Sequence, residues 1–156
     1  MKNKKSLSIF LSCIVCFFLG GCFIDKSPRF TLIGAERPMM GANSVTVTSA
    51  ELIEDTITIK LNLKFEDVAL ADFEKIYIHK SEHGSPYISC DIEKSQEMNN
   101  MDYFSAPYIG EVALVFTDPS IDESDELSHY DFTLSYLYDN GIMNSYRFCL
   151  RHPDDT

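Results

Sequence analysis

The run Thr56–Phe65, TITIKLNLKF, places Ile57, Ile59, Leu61, Leu63 and Phe65 at alternate positions, with Thr58, Lys60, Asn62 and Lys64 between them. Successive side chains of a strand point to opposite faces, so five strict alternations describe a strand with one face buried and one wet. The preceding SVTVTS, Ser44–Ser49, supplies a β-branched partner, joined through Glu51–Asp55. Further strands are expected at FTLIG (30–34), KIYIHK (75–80), YISCDI (87–92) and EVALVFT (111–117), with Gly84-Ser85-Pro86 as a turn. In YDFTLSYLY (130–138), Tyr130, Phe132, Leu134, Tyr136 and Tyr138 share one face, and IMNSYRFCL follows after Asp139-Asn140-Gly141. Asn-Gly between alternating runs predicts a hairpin with a type I′ turn. ERPMMGAN (36–43) reads as a loop, and only Val68–Lys75 and Lys94–Phe104 carry any helical signal. About eight short strands at roughly ten-residue spacing predict an all-β fold: an antiparallel β-sandwich, immunoglobulin-like or transthyretin-like, spanning 30–156.

The N-terminal stretch has a different character. Lys2, Lys4 and Lys5 precede a thirteen-residue apolar run, Leu7–Leu19. A helix of that length rises only about 20 Å, short of the ~30 Å hydrocarbon core, and so reads as a secretory signal. Leu19-Gly20-Gly21-Cys22 resembles the bacterial lipobox. Residues 1–21 are therefore expected to be a cleaved lipoprotein signal peptide and Cys22 the lipid-bearing first residue. Residues 22–29 would form a short tether to the membrane through acyl chains, of which two or three anchor firmly. Phe23 stands where an inner-membrane retention Asp often lies. The expected address is the periplasmic side of the envelope, in the inner leaflet of the outer membrane if the host is diderm.

Removing the signal sharpens the charge. The whole chain carries 13 Lys+Arg and 24 Asp+Glu, a net −11; loss of three signal lysines leaves 10 against 24, or −14. So acidic a surface repels nucleic acid and anionic headgroups, and suits a basic protein partner or simple solubility. Of the five cysteines, Cys13 and Cys16 leave with the signal and Cys22 is lipidated. Cys90 and Cys149 remain, and in an oxidising compartment an even pair is expected to form a disulfide, worth about 3–4 kcal/mol in the chain-entropy picture. Their strand parities disagree, however: Cys149 goes with Arg147 and Arg151, and Cys90 with Ile88 and Ile92.

Residues 22–156 hold no GxSxG elbow, phosphate loop, HExxH or CxxC. His79 and His83 straddle a strand end, where four-residue spacing does not converge two imidazoles. No catalytic residue, metal or cofactor is expected. The segment DPSIDESDE, Asp118–Glu126, offers Asp118, Asp122, Glu123, Asp125 and Glu126 as a contact surface for a basic partner. Asp122, Ser124 and Glu126 could also offer oxygens to Ca²⁺, but the loop lacks the central Gly and distal Glu of an EF-hand. Eight tyrosines without any Trp, several flanking the last hairpin, suit either an interface or ordinary strands.

In plan the chain resembles the immunity lipoproteins of type VI secretion. The resemblance rests on LGGC (19–22), KSPRF (26–30), a β-rich domain of under 140 residues and a Tyr-rich hairpin ending Arg147-Phe148-Cys149. It implies a non-enzymatic module that binds one cognate effector protein, basic in character, and occludes its active site. The rival plan is a structural lipoprotein of an envelope secretion complex, binding an inner-membrane partner.

Overall fold

The computed structural model describes residues 31–151 apart from His83 and Met101. The expected signal peptide, Cys22 and the tether lie outside the described residues. Among the described residues, nine strands, two 3-10 turns and one helix occur in the order β1 (Thr31–Leu32), β2 (Glu36–Pro38), β3 (Ser44–Ile53), β4 (Thr56–Lys64), a 3-10 turn (Leu70–Asp72), β5 (Phe73–Lys80), β6 (Tyr87–Ser89), α1 (Ile92–Asn99), β7 (Ile109–Thr117), a second 3-10 turn (Leu127–His129), β8 (Tyr130–Leu137) and β9 (Met143–Cys149). They form two sheets, β1-β9-β8-β5-β6 and β2-β3-β4-β7, packed as a sandwich. Every strand pair is antiparallel except β1–β9.

The core follows from the alternation. Ile57, Ile59, Leu61 and Leu63 of β4 are fully buried, flanked in register by Val45 and Val47 of β3 and by Val112, Leu114 and Phe116 of β7. The facing sheet contributes Ile78, Tyr130, Phe132, Leu134 and Phe148. Phe116 meets Phe132 edge-on across the sandwich with ring centres 6.0 Å apart, and Phe132 meets Phe148 at 5.5 Å. Such aromatic pairs add about 0.5–1.5 kcal/mol beyond area burial. Among the described residues no helix is long and apolar enough to cross a membrane.

Several elements differ from expectation. β3 runs to Ile53, so only Glu54 and Asp55 connect it to β4. YISCDI splits: β6 stops at Ser89, and Asp91 accepts the Lys94 N–H at 3.0 Å as an N-cap, starting α1 earlier than anticipated. The loop at 36–43 begins with β2, whose Pro38 is tolerated on an edge strand. The turn after β8 lies where Asn-Gly placed it but is not type I′. Tyr138 N–H donates to Ile142 O at 3.0 Å, leaving three residues between, and of these Gly141 takes positive φ (+78°) while Asn140 does not. This three-residue connection with glycine in the left-handed position is the next most common hairpin geometry.

α1 lies against the edge of β7 and completes it with side chains. Asn99 accepts the Ala113 N–H and donates to the Ala113 carbonyl, both at 2.9 Å. Ser95 Oγ accepts the Val115 N–H at 2.9 Å, and the Asp91 N–H donates to Val115 O at 2.8 Å. Backbone groups that a neighbouring strand would satisfy are thus satisfied by a helix; each, left buried and unpaired, would cost about 1–3 kcal/mol.

The expected Cys90–Cys149 disulfide is overturned: both are free thiols. Cys149 ends β9 opposite Asp131 of β8, which pairs with β5; Cys90 lies beyond β5, its N–H donating to Ile76 O. Three interstrand spacings of about 4.8 Å separate them, whereas bridged Cα atoms lie within about 7 Å. The parity mismatch has the same origin. Cys90 packs inward against Ser95 at 3.5 Å, its thiol pushed up to about 11 by burial, while Cys149 lies on the outer face with Asp131. A reducing agent is therefore expected to leave the melting temperature unchanged and thiol titration of the denatured chain to count Cys90 and Cys149 as free. A fall of several degrees on reduction would restore the bridge.

Candidate functional site

The acidic segment closes one end of the sandwich. The Asp118 N–H donates to Asp55 O at 3.1 Å, tying the loop to the β3–β4 turn, while Lys80 at the end of β5 holds Asp125 at 2.8 Å. Within this frame the five carboxylates divide. Asp118 accepts the Ser120 N–H at 2.8 Å, and Asp122 accepts the Ser124 N–H and hydroxyl at 2.9 and 2.8 Å, so each sits below the ordinary carboxylate range. Asp125 takes Lys80 and the Tyr130 hydroxyl (2.7 Å) and falls from 3.8 to about 2. These three therefore shape their own loop, as short acidic side chains commonly do in turns.

Glu123 and Glu126 are different. Glu126 makes only a 3.3 Å bond from Ser128 and a 3.9 Å approach to His129. Both glutamates line a groove of about 1070 Å³ whose other wall is β3 from Thr48 to Leu52, so that Glu51 borders it as well. Arg151 and His129 also border it. Glu51 was missed in the sequence, where it reads as part of a connector. The signal was present: Ala50 and Leu52 alternate with Glu51, and across the two-residue turn Glu54-Asp55 they pair with Ile59 and Ile57.

A second polar cluster lies on the outer face of the five-stranded sheet. Register aligns His79, Asp131 and Cys149 in one row and Tyr77, Thr133 and Arg147 in the next. The expected one-sided burial of β8 fails here, because Asp131, Thr133 and Ser135 are buried as well. These short side chains on a central strand lie between neighbours as long as Tyr77 and Arg147. Asp131 lies 3.8 Å from His79 Nε2 and accepts the Ser81 hydroxyl at 3.3 Å; burial raises its pKa, His79, Ser81 and Arg147 opposing. Burial likewise lowers that of His79, whose Nδ1, like Thr133 Oγ1, has no hydrogen-bond partner among the described residues. A thiol–imidazole pair needs direct contact. Asp131 stands between Cys149 and His79, leaving them two strand spacings apart, about 10 Å.

A groove of about 880 Å³ opens where β5 runs past β6, between Phe73, Ile76, Ile92 and Phe104. Of the tyrosines flanking the last hairpin, Tyr130 and Tyr146 are core residues and Tyr136 and Tyr138 are half-buried; the exposed tyrosine among the described residues is Tyr87, on β6. Among the described residues no three His, Cys, Asp or Glu side chains converge as a metal site. His83 and His152 lie outside the described residues.

Asp125→Asn is expected to destabilise the fold by about 1 kcal/mol, the scale of a partly exposed ion pair. Because the folded pKa of Asp125 is depressed, its contribution is present above about pH 4 and lost as pH falls toward 2. Urea melts from pH 7 to 2 should converge for variant and parent at the acid end. His79 has the opposite consequence. Its folded pKa lies below the unfolded 6.5, so the native state favours the neutral ring and loses stability as pH falls through that value. His79→Gln should flatten this slope between pH 7 and 5; an unchanged slope would show that the ring titrates as it does unfolded.

Compared with known proteins, the chain matches no family model, no curated protein and no solved structure, and its site is read from its own geometry.

Proposed function

We propose that this chain is a lipid-anchored, non-enzymatic binding protein on the periplasmic side of the envelope, and that it serves as an immunity protein neutralising a type VI secretion effector by occlusion. The anchor reading rests on the Lys-rich start, the short apolar run and Leu19-Gly20-Gly21-Cys22. The observation that carries the binding reading is the acidic groove, where Glu51, Glu123 and Glu126 are left facing solvent after Asp118, Asp122 and Asp125 are committed to the loop. Exposed carboxylates only weakly engaged within the chain offer a basic protein a complementary field, which speeds encounter and selects the partner. Fixed to a membrane through Cys22, such a surface would meet an incoming effector before its target. A large contact area is not needed for rapid capture when charge steers the approach.

Deleting the gene should leave the cell sensitive to killing by sister cells, and affinity capture with the full-length lipoprotein in detergent should recover one basic protein from them. Unchanged survival, with an inner-membrane secretion component recovered instead, would replace immunity with a structural role in an envelope complex.

A further inference from the structure

The two edges of the four-stranded sheet are treated differently. At β7 the helix side chains Asn99 and Ser95 occupy the backbone donors and acceptors. At the opposite edge β2 covers only Ser44–Thr46, and the Gly34 N–H closes on Val47 O at 2.8 Å. A register shift between Val47 and Ser49 follows, and beyond it β3 has β4 on one side only, as far as Ile53. In a hairpin with a two-residue turn the flanking pair, here Ile53 and Thr56, is the hydrogen-bonded one, so alternation turns the N–H and C=O of Leu52 and Ala50 away from β4. Among the described residues no backbone group from another element reaches them.

This open edge forms one wall of the acidic groove. Glu51 lies on the edge itself, Glu123 and Glu126 lie across from it, and Leu127 and Leu150 contribute apolar lining. Ile53, at the turn end of this edge, is 59 % exposed. We propose that the Thr48–Ile53 edge of β3 takes up an extended segment of the partner protein, rich in lysine or arginine alternating with apolar residues, as an added strand of the sheet. The added strand would continue the line that β2 begins. Its main chain would pair with Ala50 and Leu52, and its cations would face Glu51, Glu123 and Glu126. A second copy of this chain is the poorer occupant, because edge-to-edge pairing would bring Glu51 and Glu54 of both copies together, and like charges across strands repel. The proposal deepens the binding reading above and rests on it for the identity of the partner.

The test uses the full-length protein in detergent micelles and a capped heptapeptide of alternating lysine and valine. Two controls accompany it: the same peptide with glutamate for lysine, and the lysine peptide N-methylated at alternate residues to remove its strand-forming amides. The lysine peptide should bind and slow hydrogen exchange of the Ala50 and Leu52 amides at least about tenfold. N-methylation, or Glu51→Lys combined with Glu126→Lys in a protein whose melting temperature is retained, should each weaken binding at least about tenfold. Equal binding of the N-methylated or glutamate peptide, unprotected amides at 50 and 52, or concentration-dependent self-association through this edge would overturn the proposal. The sister-cell assay separates the two readings. Protection retained by the double Lys variant overturns the edge as the partner's site while immunity stands. Peptide docking at the edge in a protein whose deletion leaves survival unchanged supports the docking surface and overturns immunity alone.

Discussion

Asn99 clasps the backbone of Ala113 with both halves of its amide, one accepting the N–H and the other donating to the carbonyl. A sheet that ends must leave a row of unpaired main-chain groups, and a sandwich of this size has four such ends. The amide clasp, with Ser95 on Val115, turns one of them into a packed interface. It also explains why the helix begins at Ile92, before the expected strand would have ended: Asp91 must bond to Val115 and cap the helix at once, and both are possible only if the chain leaves β6 there. Helix, crossing and buried Tyr103, whose hydroxyl donates to the same Ala113 carbonyl at 2.9 Å, all hang on this edge.

The same accounting distinguishes the charges. A net −11 says little about where negative potential is felt, since carboxylates bonded within a loop present much of their field to their own donors. Asp118, Asp122 and Asp125 are of that kind, and Asn43 with Asp67 forms a comparable internal contact. Asp131 is the opposite extreme, a carboxyl under the long side chains of a sheet face and raised by burial. The carboxylates not drawn into such internal contacts around the groove are a small subset placed by topology: a glutamate on an open strand and two on the facing loop.

The strands were legible wherever one face alone is wet. Thr56–Phe65 shows its alternation in full, and the buried sites match it residue for residue through Phe65. The single core of an all-β sandwich follows from such runs. Three things were not legible, and each is tertiary. The distance between Cys90 and Cys149 depends on strand order, which pairs of alternating runs do not encode. The burial of Thr133 and Ser135 depends on neighbours across the sheet rather than along the chain. The division of the acidic run depends on Lys80 and Tyr130, neither of which lies within it. Glu51 was the one site residue a sharper reading could have found, since Ala50 and Leu52 on either side of it alternate with it as strand residues do.

The parallel pairing of β1 with β9 gives the fold a mechanical polarity. Thr31 and Leu32 lie beside Phe148 and Cys149 with both strands pointing the same way, so the two ends of the described chain are neighbours. If the chain is held at its N-terminal side, a pull there loads this two-residue ladder before it reaches any long strand. The Gly34 bond to Val47 is next in line, and only then does the load pass to β2 and the four-stranded sheet. Tension would thus peel a short outer layer while the core of β4, β7 and β8 stays closed. Held in that way, the domain would have a compliant joint beside the hold, and yielding there would add reach without unfolding the sandwich.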